Sequence, residues 1–149
     1  MKRLVFCFDG TWNRIDAEYS TNVVITAESV LPLSREGVAQ LIYYDEGVGT
    51  SRFDRIRGGV FGNGLVQNLA EAYRFLIFNY TNGDEIYIFG FSRGAYTARS
   101  FAGLLSTCAI PLRMHAGRVE EAIEKYKSRN DTESYRNDMM VFRSEMSPN

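Results

Sequence analysis

The sequence predicts an α/β fold in which flanking helices cover a mostly parallel sheet. Apolar runs of strand length alternate with segments of helical periodicity, and this order is typical of parallel strands joined by right-handed crossovers. The chain has 149 residues, so we expect residues 1–149 to form a single core-bearing domain. Hydrophobic residues make up 45% and charged residues 23% of the chain, which excludes a disordered or collagen-like protein.

Three apolar runs are expected to be strands. The first, 4–8, is closed by Asp9-Gly10, and the second, 41–44, is closed by 45–47. The third covers residues 86–91. Runs without polar alternation are typical of parallel strands covered on both faces, so we expect the first and third strands to be buried on both sides.

Helices are expected between and after these strands. Thr21 can cap a helix over 22–31, and apolar residues recur at helical spacing over 65–80. A helix rich in small residues is expected over 94–105, and an amphipathic helix over 119–127.

Three stretches of the sequence do not show the full pattern of a helix or a strand. Residues 47–64 contain six glycines and no clear period, so we expect a long loop there. Residues 128–138 are charged and rich in turn formers, and residues 139–142 begin an apolar segment that the chain does not finish.

Charge and composition limit the partners. Seventeen Lys and Arg residues balance eighteen Asp and Glu residues, so no overall field attracts nucleic acid or anionic lipid, and any membrane contact is expected to be peripheral. No segment is long enough for a membrane span or for a signal-peptide core. Cys7 and Cys108 lie in apolar segments without metal-ligand or redox spacing, so we expect two buried reduced thiols, which fit a cytoplasmic protein, and no metal or cofactor.

Residues 90–94, Gly-Phe-Ser-Arg-Gly, match the G-x-S-x-G nucleophile elbow between a strand and a helix. This context predicts that Ser92 is an acyl-transfer nucleophile and that the Arg93 N–H helps to bind an oxyanion. Side chains at Gly90 or Gly94 would collide with neighbouring backbone. The alternative is a chance match, in which Ser92 caps a tight turn.

A second oxyanion donor is expected after the first strand. The carboxyl ends of parallel strands share one edge, so the N–H of Gly10 or Thr11 can face Ser92. The alternative is an ordinary turn in which Asp9 hydrogen-bonds its own loop. Both remain open from the sequence, and Trp12 fits either an acyl-chain contact or the core.

Three segments carry a family resemblance: LVFCFDGTWN at 4–13, YYDEGVGT at 43–50 and DEIYIFGFSRGAYTARSFAGLL at 84–105. They resemble the N-terminal part of the catalytic domain of the type VI secretion phospholipase effectors, a family of serine α/β-hydrolases. The resemblance implies an α/β-hydrolase fold, a lipid or other acyl-ester substrate, and Ser92 as the nucleophile. Two locations remain open: the cytoplasm, or delivery by a secretion apparatus without a signal peptide.

The catalytic acid and base are not evident. In α/β-hydrolases the catalytic triad follows the chain order Ser, then an acid, then His. The sequence has one histidine, His115, which follows Ser92. It comes after the elbow helix and is expected to be a surface or cap histidine, while Asp9 and Asp45 are expected to bond their own loops. The chain therefore reads as an incomplete hydrolase of weak activity. The alternative is an inactive fragment or interaction module that self-associates through an open sheet edge.

Two other enzyme classes match less well. The segment around Phe8-Asp9-Gly10-Thr11 is similar to the start of haloacid-dehalogenase-type phosphatases, but Cys7 occupies the position of their nucleophilic aspartate. A nucleotide-binding glycine motif begins at Gly62, but Gln67 replaces its third glycine and no strand precedes it. The loop arginines could meet phosphate head groups but are expected to be solvated; they are Arg52, Arg55 and Arg57.

Overall fold

The computed structural model describes residues 1–10, 18–47 and 62–147. They contain three strands, β1 Arg3–Phe8, β2 Gln40–Asp45 and β3 Glu85–Gly90. These strands are parallel and lie in the order β2-β1-β3. The predicted α/β class and parallel sheet are confirmed, and all three carboxyl ends lie along one edge.

Helices cover both faces of this sheet. They are α1 Asn22–Ser29, α2 Asn63–Asn79, α3 Arg93–Cys108, α4 Val119–Lys127 and α5 Glu133–Met146, with a 3-10 turn over Arg113–Arg118. Alternate residues of β1 separate two hydrophobic clusters. Leu4, Phe6 and Phe8 pack with α2 and α3, whereas Val5 and Cys7 pack with α1. Because β1 is covered on both faces, it is the buried strand that its sequence predicts.

The two cysteines are free and buried, as expected. Burial raises the pKa of Cys7 to about 11 and that of Cys108 to about 11. Both side chains therefore remain neutral thiols at physiological pH.

The expectation that β3 is covered on both faces is wrong. Ile86 and Ile88 pack against the large core, but Tyr87 is 41% and Phe89 is 40% exposed. Side chains alternate between the two faces of a strand, and the cluster around α1 contains residues of β1 and β2 only. One face of β3 is therefore open in the described part of the chain.

The expectation of a turn-rich segment over 128–138 is also wrong in its second half. A helix, α5, begins at Glu133 and includes the apolar segment 139–142. The Thr132 hydroxyl accepts the Tyr135 N–H at 3.2 Å and caps this helix. Spacing of three and four residues places its apolar side chains on one buried face: Met139, Phe142 and Met146.

The other boundaries differ by a few residues. Helix α1 ends at Ser29 rather than at Leu31, which is exposed. Of the loop predicted over 47–64, residues 48–61 lie outside the described residues, and with them the three loop arginines. Gly62 precedes α2.

Candidate active site

Ser92 occupies a strained turn between β3 and α3. Its backbone has φ +53° and ψ −122°, a region that residues with a Cβ seldom adopt. The side chain is exposed at the carboxyl edge of the sheet. A sharp strand-to-helix turn that presents the serine in this way is what the G-x-S-x-G motif requires.

Ser92 is not a capping serine. It holds the N-cap position of α3, yet its side chain makes no capping hydrogen bond. A capping residue has extended backbone angles and accepts an N–H from the first turn of the helix. The Ser92 side chain therefore does not cap α3 in the way that the alternative expects, and the nucleophile elbow stays a prediction.

The two glycines of the motif allow close approach of main-chain segments, as predicted. A Cβ at Gly90 would lie 2.6 Å from the Gly94 oxygen. A Cβ at Gly94 would lie within 2.5 Å of the main-chain oxygens of Phe8 and Asp9. The first turn of α3 therefore packs directly on the end of β1.

Main-chain hydrogen bonds hold the turn around Ser92. The Phe91 N–H donates to the Phe8 oxygen at 3.1 Å, and the Ala95 N–H donates to the Ser92 oxygen at 3.1 Å. Arg93 is the first residue of α3, where N–H groups lack partners within the helix and the helix dipole favours negative charge. The position of its amide suits an oxyanion.

Asp9 is fully buried at the end of β1. Its Oδ1 accepts the Gly10 N–H at 2.7 Å, and its Oδ2 accepts the hydroxyls of Thr21 at 2.5 Å and Tyr44 at 3.0 Å. Asp9 thus bonds its own loop, as one of the two alternatives expects, and the oxyanion role of this turn stays a prediction. The Gly10 N–H is already engaged there, whereas Thr11 and Trp12 lie outside the described residues.

Tyr44 is a donor in this network. Burial first, and then the hydrogen bond to Asp9, raise the pKa of Tyr44 above its ordinary value. The phenol therefore keeps its proton and donates a hydrogen bond to the Asp9 carboxylate. Sequence reasoning missed this contact, because Tyr44 is 35 residues and Thr21 is 12 residues from Asp9 along the chain.

Asp45 holds the end of β2 in a similar way. Its Oδ1 accepts the Gly47 N–H at 2.8 Å and its Oδ2 accepts the Asn68 amide at 2.5 Å. Burial raises the pKa of Asp45 despite these hydrogen bonds. As expected, this carboxylate bonds its own loop.

His115 lies far from Ser92. It belongs to the 3-10 turn that follows α3 and is partly exposed, and its N–H donates to the Leu112 oxygen at 2.8 Å. Helix α3 has 16 residues and is thus about 24 Å long. The two residues are at opposite ends of this helix, so His115 is not placed to act on the Ser92 hydroxyl.

Comparison with known proteins gives a family for the chain. The sequence model of the T6SS phospholipase effector Tle1-like catalytic domain matches residues 2–147. An uncharacterized protein of Saccharomyces cerevisiae is 31% identical over 119 residues, which cover 70% of this chain and 17% of that protein. The chain thus spans about a sixth of this relative's length. No solved structure matches, and no described helix is long and apolar enough to cross a membrane.

Proposed function

Because the chain belongs to the T6SS phospholipase effector Tle1-like catalytic domain family, we propose that it hydrolyses acyl esters of phospholipids with Ser92 as the nucleophile. The family supports a phospholipase-like hydrolase and a lipid substrate. The observation that carries the role of Ser92 is its backbone: an exposed, uncapped serine at φ +53° on the N-terminus of a helix. Strain of this kind persists where the surrounding structure enforces it, and it concentrates at functional sites.

The specific fold that we propose is an α/β-hydrolase fold. Its support is the parallel sheet with β1 in the centre and an elbow at the carboxyl end of the neighbouring strand β3. Packing of Gly94 against β1 places Ser92 beside the strand end that carries the Asp9-Gly10 turn. This is the edge where ligands bind in open α/β sheets.

In this reaction the Ser92 oxygen attacks the ester carbonyl carbon, and the carbonyl oxygen becomes an oxyanion. The Arg93 N–H and the Thr11 N–H stabilise that charge, and Gly10 contributes only if its hydrogen bond to Asp9 opens. The serine proton passes through a base to the alcohol oxygen as the ester bond breaks, and water then releases the fatty acid from the acyl-serine. Among the described residues no histidine or carboxylate is hydrogen-bonded to the Ser92 hydroxyl, so we expect weak turnover from these residues alone.

A fluorophosphonate probe is expected to label Ser92 in the full-length protein, because the probe reacts only with an activated serine. The measurement is peptide mass spectrometry after labelling. The variant Ser92→Ala should not be labelled, whereas Ser106→Ala, which removes an exposed hydroxyl from the same helix, should be labelled as the parent is. Labelling that persists in Ser92→Ala would rule out the assignment.

The substrate class has its own test. We expect release of fatty acid from glycerophospholipid in mixed micelles, and its loss in Ser92→Ala.

For localisation we propose a protein that resides in the cytoplasm until a secretion apparatus delivers it without a signal peptide, which follows from the effector family.

The open face of β3 favours a second role, self-association. Among the described strands β3 pairs with β1 alone, and it carries no Lys or Pro of the kind that protects edge strands. Its exposed aromatic side chains continue into Phe91, which is 53% exposed. A second copy of the chain can pair with this edge and cover these rings.

Light scattering during size-exclusion chromatography is expected to show a dimer of the chain and a monomer for Phe89→Lys, since a charge on an edge strand opposes pairing. The control is Ile25→Lys, which alters an apolar residue of α1 that is similarly exposed and should leave the dimer intact. A parent chain that stays monomeric at high concentration would contradict this role.

A further inference from the structure

The Asp9 carboxylate joins three parts of the fold at the carboxyl end of the sheet. It is fully buried, and it accepts hydrogen bonds from its own turn at Gly10, from the N-cap of α1 at Thr21 and from β2 at Tyr44. The Thr21 hydroxyl also accepts the Val24 N–H at 3.1 Å. The carboxylate is therefore tied to the beginning of α1 as well as to the ends of β1 and β2.

The Asp9 main chain is held just as closely. Its N–H donates to the Asp45 oxygen at 2.8 Å. A Cβ added at Gly47 would lie 2.7 Å from the Asp9 carbonyl oxygen, and a Cβ added at Gly94 would lie 2.5 Å from the same oxygen. One peptide group thus contacts both the end of β2 and the first turn of α3.

Burial of a carboxylate is costly unless donors surround it, and hydrogen bonds to a charged acceptor are the stronger ones. The β1 turn cannot shift without lengthening these hydrogen bonds, so the carboxylate restrains the Asp9 peptide. That peptide forms part of the surface on which Gly94 rests. Its displacement would move the adjoining Ser92 oxygen and Arg93 amide.

We propose that Asp9 is a positioning residue, whose buried carboxylate keeps the end of β1 in the place where it supports the Ser92 turn. The inference rests on the proposed function of Ser92 but concerns a residue that does not touch the substrate. The sequence marks Asp9 as a loop carboxylate; its connection to the elbow through Gly94 is visible only in the structure.

The test compares the rates at which a fluorophosphonate labels Ser92 in the folded full-length protein. Asp9→Ala removes the acceptor and is expected to slow labelling by about 100-fold, the effect typical of a small misplacement of reacting groups. Asp9→Asn should retain most of the rate. Its Oδ1 can still accept the Gly10 N–H, and the hydroxyls of Thr21 and Tyr44 can accept from its NH₂ group.

Asp84→Ala is the matched control for a loss of stability alone. The Asp84 side chain is 1% exposed and accepts the N–H groups of Lys2 and Thr81, each at 2.8 Å. It lies before β3, at the opposite edge of the sheet from Ser92. We expect the urea unfolding midpoint of this variant to fall as that of Asp9→Ala does. While folded, however, it should be labelled at the parent rate.

Each outcome decides between the proposals. Parent-like labelling of Asp9→Ala, or equal slowing in Asp84→Ala, would overturn the positioning role. If the parent itself is not labelled, the proposed function fails and amide hydrogen exchange over 93–95 decides the inference. Faster exchange in Asp9→Ala but not in Asp84→Ala supports positioning, and equal exchange in both overturns it.

A milder pair of variants serves if Asp9→Ala does not fold. Tyr44→Phe and Thr21→Val each remove one donor to the carboxylate, and each is expected to slow labelling by up to about 10-fold. If both variants are labelled at Ser92 at the parent rate, the positioning role of Asp9 is overturned.

Discussion

Gly94→Ala is expected to lower the free energy of unfolding by about 3 kcal/mol or more, because it forces main-chain segments apart. The added Cβ would lie within 2.5 Å of the oxygens of Phe8 and Asp9. Neither atom belongs to a side chain that can rotate away, and both lie at the end of the central strand. The first turn of α3 would have to leave β1, and Ser92 would move with it.

Urea unfolding followed by circular dichroism measures this loss. The control is Gly117→Ala in the 3-10 turn, where an added Cβ meets nothing within 4 Å, so its unfolding midpoint should stay at the parent value or rise slightly. If Gly94→Ala unfolds at the parent midpoint, α3 does not approach β1 in the way described. Loss of Ser92 labelling should accompany the loss of stability, since both follow from the same displacement.

The parts of the fold that local patterns determine could be predicted from the sequence. The continuous apolar run of β1 requires burial on both faces, and the periodic apolar residues of α2 require a helix. The close main-chain approach at Gly90 and Gly94 was also predictable, because the steric demand of these glycines is local to a strand, a turn and a helix. These inferences need no knowledge of which distant residues meet.

The parts that depend on distant contacts were not predictable. Whether the second face of β3 is covered depends on how far α1 reaches across the sheet. The sequence of β3 does not show this, because it is as apolar as that of β1. The partners of Asp9 lie 12 and 35 residues away, so the turn at Gly10 could not be decided from its own residues. In α5 the charged residues of the first turns concealed a helix whose buried side lies further along the chain.

Ser92→Gly is expected to abolish ester hydrolysis and, at the same time, to stabilise the protein. The parent serine holds φ +53°, and a residue in such a region is strained by about 1–3 kcal/mol. Glycine adopts this conformation without strain. It also gives the unfolded chain more freedom, which offsets up to about 1 kcal/mol, so we expect a net gain of about 1 kcal/mol in the free energy of unfolding.

Two variants separate the strain from the chemistry. Ser92→Ala should lose the same activity without the gain, because its Cβ keeps the strained conformation. Ala109→Gly should gain stability and leave labelling of Ser92 at the parent rate, because Ala109 ends α3 at φ +60°, about 24 Å from the elbow. Urea midpoints and labelling rates of all three variants test the argument. If Ser92→Gly is no more stable than Ser92→Ala, the turn is not strained, and the observation on which the nucleophile assignment rests is withdrawn.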